Sequence, residues 1–191
     1  ARVTHIDKQS VDLAVLERVE DPVASKSTEL ILATAVPKGD RFRSLVEKAT
    51  ELGIDRLIPL RTEHSVVHPR PGKQDRMQQA IIAACKQCGR TRLMTLDPLT
   101  NWADLIRDAK GSLVLSQRGG QPATAVLARF QQQPPAQLIL CVGPEGGWSD
   151  AELDLAHQAE IPPVDLGPHV LRIETAAMAL SVLAGIDYNS A

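Results

Sequence analysis

Two spacings of hydrophobic residues alternate along the chain. Residues 30–36 form a continuous apolar run, which is typical of a strand covered on both faces of a sheet. Apolar residues then recur at helical spacing from Phe42 to Leu52, and Gly53 supplies the left-handed residue at which such a helix ends. This alternation continues to the end of the chain and predicts an α/β domain with a mostly parallel sheet. Further strands are expected at residues 54–60, 113–116, 138–142 and 164–166, and further helices at residues 74–87, 101–109, 122–130, from 150 after a capping box at 149–152, and 175–186.

The last predicted helix is apolar on nearly all sides. A helix of this kind has to be covered on more than one side. It is either a central core helix or a helix at a subunit interface, and the pattern alone favours neither. Its apolar members are Ala176, Ala177, Ala179, Leu180, Val182, Leu183 and Ile186.

The N-terminal segment, residues 1–19, follows a strand pattern. Val11, Leu13 and Val15 point to one side, and residues 8–10 are the expected turn before them. Two short strands do not make a stable domain alone. We therefore interpret residues 1–22 as the end of a small β domain and residues 23–191 as the main domain.

Composition and charge restrict the functional class. The chain has 191 residues, and its three cysteines give no disulfide framework, so a reducing, cytoplasmic setting is expected. No apolar run is long enough to span a bilayer, and no signal peptide is visible. The net charge of −2 is unfavourable for a general nucleic-acid binder, so any RNA recognition has to come from a local patch.

Three predicted strands run into loops that contain glycine and few large side chains, at residues 116–120, 143–147 and 167–170. In open α/β sheets, ligands bind beyond the carboxyl ends of the strands, where glycine lets a ligand approach the backbone. One such loop is usually an ordinary connection, but three on one edge predict a site for a flat, polar small molecule. None has the glycine pattern of a dinucleotide-binding or phosphate-binding loop, which disfavours a Rossmann dehydrogenase and an ATPase.

No metal site is predicted. Cys85 and Cys88 have C-x-x-C spacing, but they lie at the carboxyl end of a predicted helix, where the helix dipole disfavours a thiolate. A zinc site would need a second pair of ligands, and none is near in the sequence. His64 and His68 also have too few other ligands around them. We interpret the two cysteines as structural thiols.

Six short sequence blocks carry a resemblance to a known family. They are K-G-D-R at 38–41, K-A-T-E-L-G at 48–53, T-E-H-S at 62–65, Q-C-G-R at 87–90, V-G-P-E-G-G at 142–147 and L-G-P-H-V-L-R-I-E-T-A at 166–176. In this order and at these intervals, the chain closely resembles the RsmE family, the bacterial methyltransferases that act on uridine N3 of small-subunit (16S) ribosomal RNA. The resemblance covers residues 30–185.

The resemblance implies a fold that the hydrophobic pattern alone does not. It implies a SPOUT α/β domain with a C-terminal trefoil knot, a homodimer formed through the last helix, and a PUA-like β-barrel of which residues 1–22 are the remnant. Without it, an unknotted doubly wound sheet would be expected. It also implies that the three loops hold S-adenosylmethionine. The implied cofactor-binding residues are Leu115, Ser116, Val142, Gly143, Pro144, Glu145, Gly146, Gly147, Leu166, Gly167, Val170, Leu171, Arg172 and Thr175.

The implied reaction is an in-line displacement in which uridine N3 attacks the methyl group of the sulfonium. Arg172 is the first candidate for a donor that stabilises the negative charge developing on the uracil oxygens. Its alternative role is a structural salt bridge to Glu174 or Glu145. Glu145 is expected either to accept the N3 proton or to orient the amino group of the cofactor. Thr175 is expected to cap the last helix.

The resemblance also implies contact with 16S ribosomal RNA. Two positions depart from the family, because His64 stands where arginine is common and Lys86 where glutamate is common. Alternative functions are a non-catalytic knotted dimer that binds RNA or assists assembly, a methyltransferase for another ribosomal RNA nucleotide and, more distantly, a flavodoxin-like nucleotide binder. The candidate RNA-contacting residues are Lys38, Arg41, Arg61, His64, Gln87 and Arg90.

Overall fold

A computed structural model describes residues 1–19, 28–67 and 74–185 of the chain, and for Gln74 only its place in a helix. Two residues that the sequence singles out, His68 and Ile186, lie outside the described residues. No helix within these ranges combines the length and the apolar character that a membrane span requires.

The first two strands form an antiparallel hairpin at the predicted place. β1 (Arg2–Ile6) pairs with β2 (Val11–Ala14), and the predicted turn lies between them. Two cross-strand pairs of apolar residues share one face of this hairpin, and each of the four side chains is more than half exposed. These residues are Val3, Ile6, Val11 and Leu13.

The remaining described strands form a seven-stranded sheet in which every pairing is parallel, which confirms the predicted α/β class. They are β3 (Glu29–Ala35), β4 (Arg56–Arg61), β5 (Thr95–Leu96), β6 (Thr100–Asn101), β7 (Ser112–Pro122), β8 (Gln137–Val142) and β9 (Pro163–Asp165). The spatial order is β5-β4-β3-β8-β7-β9, and β6 pairs with β4. The carboxyl ends of β3, β4, β7, β8 and β9 therefore lie along one edge of the sheet.

Helices cover both faces of this sheet. They are α1 (Arg41–Glu51), α2 (Gln74–Cys88), α3 (Trp102–Asp108), α4 (Ala123–Gln132), α5 (Asp150–Gln158) and α6 (Ile173–Gly185). The apolar residues of α1, α2, α4 and α6 form the core on one face, and those of α3 and α5 form the core on the other. In β3, Leu30 and Leu32 belong to the first core, and Ile31 and Ala33 to the second. This explains the unbroken apolar run, because both sides of the strand are buried.

Three of the predicted helix signals are confirmed. Gly53 and Gly89 follow α1 and α2 with φ angles of +81° and +77°, the left-handed conformation that ends a helix without a Cβ clash. Ser149 and Glu152 form the predicted capping box at the start of α5.

β7 is longer than the sequence predicts. The pattern indicates an end at Ser116, but the strand continues to Pro122. Ser116 and Gln121 are both in register with Val164 of β9, so residues 117–120 leave the sheet between them. Gly119 within this excursion has a φ of +75°. The first predicted glycine loop is therefore an excursion of a strand rather than a strand-to-helix connection.

α6 begins at Ile173 rather than at residue 175. The N–H of Ala176 donates a 2.9 Å hydrogen bond to the backbone carbonyl of Arg172, so that Thr175 lies inside the first helical turn. The prediction that Thr175 caps this helix is therefore wrong. One face of α6 is buried in the core, whereas Val182 is 40% exposed and Met178 and Ala179 are partly exposed.

Candidate functional site

The three predicted loops converge on one cleft at the carboxyl edge of the sheet. The cleft has a volume of about 340 Å³ and opens to solvent. Its walls come from the excursion of β7, from the loop after β8, and from the segment between β9 and α6. The described residues that line it are Ser116, Gln117, Arg118, the run 142–148, Asp165, Leu166, Gly167, His169, Val170, Leu171, Ile173 and Ala176.

Trp148 connects two of these walls. Its indole N–H donates a 3.1 Å hydrogen bond to the carbonyl of Ser116 at the end of the regular part of β7. The ring also packs on Trp102, with centroids 4.6 Å apart and an interplanar angle of 42°. A Cβ at Gly143 would lie only 2.7 Å from Cε2 of Trp148, so glycine is required for this close approach.

Asp165 connects the other pair of walls. Its carboxylate accepts the N–H of Gly167 at 2.9 Å and the N–H of Gly119 at 2.8 Å. The hydrogen bond from Gly167, followed by that from Gly119, holds the pKa of the Asp165 carboxyl below its ordinary value. The excursion of β7 and the loop after β9 are thereby joined through one side chain.

The turn at residues 62–65 supports the loop after β8 from the side of β4. His64 Nδ1 lies 3.0 Å from the carbonyl oxygen of Gly147. Since a carbonyl only accepts hydrogen bonds, this contact places the proton on Nδ1. The buried carboxylate of Glu152 accepts the N–H of Glu63 at 2.9 Å and the N–H of Ser149 at 2.9 Å. The turn is thus fixed both to the loop and to the start of α5.

Arg41, at the start of α1, lies between two carboxylates beside the cleft. Its Nη2 is 3.4 Å from Oε1 of Glu145, and its Nη1 is 3.5 Å from Oε1 of Glu174. The salt bridges that the sequence offers as the alternative role of Arg172 are therefore made by Arg41. The Arg172 side chain is exposed, and the ion pairs among the described residues do not include it.

Most of the predicted cofactor-binding residues line the cleft. Gly143 and Gly167 face the same space, and no side chain of the described protein fills it. Leu115 is 2% exposed and belongs to the core shared with α3 and α5, so its side chain does not reach the cleft. Arg172 and Thr175 are exposed and do not line the cleft either, although Leu171 and Ile173 on both sides of Arg172 do.

Several cleft residues were not predicted from the sequence. Trp148 directly follows the G-P-E-G-G block and is one of only two tryptophans in the chain, which is a signal that could have identified it. Arg118 lies within the first predicted loop and Asp165 just before the third, but neither residue carried a signal of its own. The full set is Gln117, Arg118, Trp148, Asp165, His169, Ile173 and Ala176.

The candidate RNA-contacting residues fall into two groups. Lys38, Arg61, His64 and Gln87 are exposed, and the first three follow the carboxyl ends of β3 and β4. Arg41 is engaged with the two carboxylates described above. Arg90 belongs with Arg41 in the second group, because its guanidinium is also bound within the protein.

Arg90 has a structural role. Its guanidinium donates to the carbonyls of Thr50 and Ile54 and pairs with Asp55 at 2.9 Å. Only 15% of the Arg90 side chain is exposed. These bonds join the end of α1 to the start of β4, so the guanidinium is already occupied and Arg90 is not a phosphate contact.

The cysteines and histidines of the described ranges form no group of three or more potential metal ligands. Cys85, Cys88 and Cys141 are free thiols. Cys85 donates weakly to the carbonyl of Arg92 at 3.6 Å, and burial raises the pKa of the Cys141 thiol. The cleft is therefore composed of backbone groups, apolar side chains and a few charged residues.

Comparison with known proteins agrees with this geometry. Residues 24–184 match the family model of the RNA methyltransferase domain. A ribosomal RNA small subunit methyltransferase E from Synechocystis is 34% identical over 149 residues, which are 76% of this chain and 49% of that protein. The chain thus spans about half the length of this curated relative.

Solved structures show the same relationship. A Legionella pneumophila protein described as a methyltransferase, in complex with the bound cofactor SAM, is 34% identical with a TM-score of 0.70, over 82% of this chain and 66% of that one. A ribosomal RNA small subunit methyltransferase E from Neisseria gonorrhoeae, bound to S-adenosyl methionine, is 28% identical with a TM-score of 0.71, over 81% and 64%. The chain therefore belongs to the RNA methyltransferase domain family, and the resemblance to RsmE that its sequence blocks indicate is confirmed.

Proposed function

We propose that this chain transfers a methyl group from S-adenosylmethionine to N3 of a uridine in the 16S ribosomal RNA of the small ribosomal subunit. One observation carries the proposal: three loops converge on a single open cleft, in a chain whose relatives of solved structure hold this cofactor. The RNA specificity follows from the curated relatives, which are named ribosomal RNA small subunit methyltransferase E.

The residues of the cleft fit the cofactor. The volume of about 340 Å³ lies within the roughly 300–1,000 Å³ of small-molecule sites. Gly143 has no room for a side chain, and Gly147 and Gly167 have φ angles of +74° and +123°, so the walls expose backbone donors and acceptors. Val142, Leu166, Val170 and Leu171 add apolar contact around an adenosine, and Ser116, Pro144 and Gly146 complete the walls.

Bound S-adenosylmethionine supplies an electrophilic methyl group, and the chain positions the uridine and stabilises its charge. Arg172 stands between Leu171 and Ile173, which line the cleft, and its own side chain is exposed. Its guanidinium donates to uracil O2 or O4 as negative charge develops there. A preorganised donor of this kind is worth about a hundredfold or more in rate.

Glu145 lines the cleft with a carboxylate that only accepts hydrogen bonds when ionised. It either orients the amino group of the cofactor or accepts the N3 proton of the uridine. Glu145→Gln separates the two roles, because the amide still accepts a hydrogen bond but cannot take a proton. Loss of turnover with unchanged cofactor affinity identifies Glu145 as the proton acceptor.

The RNA lies across the carboxyl edge of the sheet. Lys38, Arg61 and His64 are exposed along this edge and are the proposed RNA contacts. Gln87 is also exposed, but it lies at the end of α2, close in the chain to Arg90 and so toward the opposite edge of the sheet, and is not part of this patch. Lys38 and Arg61 supply charge to phosphates, and His64 offers Nε2 because Nδ1 is bonded to Gly147. This local patch compensates for the overall charge of −2.

The proposal also covers the chain topology, the oligomeric state, the two domains and the cellular location. The C-terminal region forms a trefoil knot, supported by the position of β7 between β8 and β9, both of which follow it in the chain. Two chains form a homodimer through α6, supported by the exposed Val182 and the partly exposed Met178 and Ala179 on this helix. Residues 1–22 belong to a PUA-like domain, supported by the exposed apolar face of the hairpin, and residues 23–191 form the SPOUT domain. The enzyme acts in the cytoplasm, where its ribosomal substrate is assembled.

The proposed function is tested with small ribosomal subunits that lack the modification. The chain is incubated with S-adenosylmethionine labelled on the methyl group, and the labelled RNA is digested to nucleosides and identified by mass spectrometry. We expect 3-methyluridine. Transfer to another nucleotide would replace the proposed specificity, and cofactor binding without any transfer would indicate a non-catalytic RNA-binding protein.

A further inference from the structure

The guanidinium of Arg41 is oriented by its own loop before it reaches the cleft. Nε donates a 3.2 Å hydrogen bond to the carbonyl of Lys38, which lies between β3 and α1. Nη1 and Nη2 then point to different carboxylates. All three nitrogens of one side chain are therefore used to connect three segments of the chain.

The two carboxylates belong to two of the segments that build the cleft. Glu145 lies in the loop after β8 and lines the cleft, and Glu174 lies in the first turn of α6, directly after the loop that begins behind β9. Like charges held near each other repel, and the cation of Arg41 between them offsets this repulsion. Arg41 comes from outside the three loops and holds two of them together.

Glu174 depends on this cation more than Glu145 does. The side chain of Glu174 is 14% exposed, compared with 43% for Glu145. Oε2 of Glu174 is buried and has no hydrogen-bond partner among the described residues. A buried carboxylate needs compensation, and Arg41 is the cation that pairs with Glu174 among the described residues, so its removal would leave an unpaired charge.

The distances show that Arg41 is shared between the two carboxylates. Separations of 3.4 and 3.5 Å exceed the roughly 2.7–2.9 Å of a close charge-assisted hydrogen bond. A planar guanidinium can reach two acceptors at once in this way, whereas the single ammonium of lysine cannot span both in a fixed fork.

We propose that Arg41 is a positioning residue that acts through Glu145: it holds this carboxylate at the wall of the cleft and thereby sets the affinity for S-adenosylmethionine. This inference rests on the proposed function, since it takes that cofactor as the ligand of the cleft, and on the first of the two proposed roles of Glu145, the contact with the amino group of the cofactor. It assigns Arg41 to the cofactor side of the reaction rather than to RNA phosphates.

The first test compares Arg41→Gln and Arg41→Lys with Arg43→Gln as the matched control. Arg43 lies on the same helix and, within the described part of the chain, forms its ion pair with Glu47 on the exposed surface. We expect Arg41→Gln to raise the Kd for S-adenosylmethionine, measured by calorimetry, about tenfold, the scale of a misplaced contact rather than a lost direct one. Arg41→Lys should recover part of this loss. The KM for small-subunit RNA should stay within about twofold of the wild-type value, as should all constants of Arg43→Gln.

The second test separates positioning from simple structural support. Glu174→Gln removes the buried charge that Arg41→Gln leaves unpaired, so the double variant should regain most of the lost free energy of unfolding. The Kd for the cofactor should remain weak in the double variant, because Glu145 still lacks its partner. If the double variant recovered both the free energy of unfolding and the Kd for the cofactor, Arg41 would only support the fold. This result would overturn the inference.

Two other outcomes would also overturn it. A raised KM for RNA with an unchanged Kd for the cofactor would make Arg41 a phosphate contact. If Arg41→Gln kept the wild-type Kd for the cofactor and the wild-type KM for RNA, Arg41 would have no role in binding. The proposed function would remain intact. Failure of the wild-type chain to bind S-adenosylmethionine would contradict the proposed function itself, and this inference with it.

Discussion

The indole N–H of Trp148 and the backbone carbonyl of Ser116 are joined by a 3.1 Å hydrogen bond that crosses the floor of the cleft. Ser116 ends the regular part of β7, and Trp148 follows the G-P-E-G-G loop after β8. β7 and β8 are neighbours in the sheet, but their backbone pairing ends where the loops begin. The Trp148–Ser116 hydrogen bond connects the two loops beyond that point. The bond therefore fixes the separation of two of the three walls.

Trp148→Phe keeps an aromatic ring against Trp102 but removes the donor. We expect a loss of about 0.5–1.5 kcal/mol in the free energy of unfolding, the usual net value of one hydrogen bond. The Kd for S-adenosylmethionine should rise several-fold, because the walls of the cleft are no longer tied. Denaturant unfolding and calorimetry measure the two quantities.

Trp102→Phe is the control for this variant. Trp102 also donates its indole N–H to a backbone carbonyl, that of Glu152 at 3.0 Å, but it does not line the cleft. We expect a similar loss of stability with a smaller change in cofactor affinity. Equal effects of both variants on the Kd would show that the Trp148–Ser116 bond does not shape the cleft.

Gly143→Ala introduces a Cβ that would lie 2.7 Å from the ring of Trp148. Overpacking of this kind typically costs about 1–3 kcal/mol, and the ring or the loop has to move. We expect destabilisation in this range and a Kd for the cofactor raised at least tenfold. Gly185→Ala, whose new Cβ meets its nearest atom at an ordinary 3.6 Å, should change neither quantity appreciably. Wild-type binding by Gly143→Ala would place the cofactor elsewhere.

Asp165 makes the stability of the cleft walls depend on pH in the acidic range. Its pKa in the folded protein is lowered, first by the N–H of Gly167 and then by that of Gly119. The carboxylate therefore contributes stability that is fully present above its unfolded pKa of about 3.9 and is lost as the pH falls through the folded value. Asp165→Asn should lack this dependence.

Urea unfolding of the wild type and Asp165→Asn at a series of pH values measures this difference. We expect the wild type to be more stable by a constant amount from neutral pH down to about pH 5, and this advantage to shrink on further acidification. A difference that grows as the pH falls would have the wrong sign. It would show that Asp165 is not stabilised as a carboxylate.

Arg172→Ala tests the proposed catalytic donor. The side chain is exposed and does not line the cleft, so the affinity for S-adenosylmethionine should stay within about tenfold of wild type. Methyl transfer to ribosomal RNA should fall at least about a hundredfold, because the guanidinium acts only as charge develops on the uracil. Single-turnover kinetics measures the transfer step. A rate near that of the wild type would remove Arg172 from the mechanism.

Much of the fold could be predicted because each local signal had one physical meaning. The unbroken apolar run of β3 requires cover on both faces, and Gly53 and the Ser149 capping box mark helix ends by backbone chemistry alone. The three glycine-bearing loops could be assigned to one edge because parallel strands present their carboxyl ends together. This was sufficient to locate the cleft.

The contacts across the cleft could not be predicted in the same way. The pairing of Arg41 with Glu145 and Glu174 joins residues far apart in the chain, and the sequence offered Arg172 as an equally reasonable partner. The continuation of β7 beyond Ser116 depends on pairing with β9, a long-range contact that overrides the turn signal of two glycines. Arg90 was likewise predicted to be a surface cation, because the carbonyls that its guanidinium binds, those of Thr50 and Ile54, are distant in the sequence.

The claim that the cleft is the site of S-adenosylmethionine is tested most directly by the stability of the chain with and without this cofactor. At a concentration one hundred times its Kd, a ligand that binds only the folded state adds about 2.7 kcal/mol to the free energy of unfolding. We predict this increase for the wild type and a clearly smaller one for Gly143→Ala at the same concentration. No increase for the wild type, or the same increase for both proteins, would contradict the assignment of the cleft.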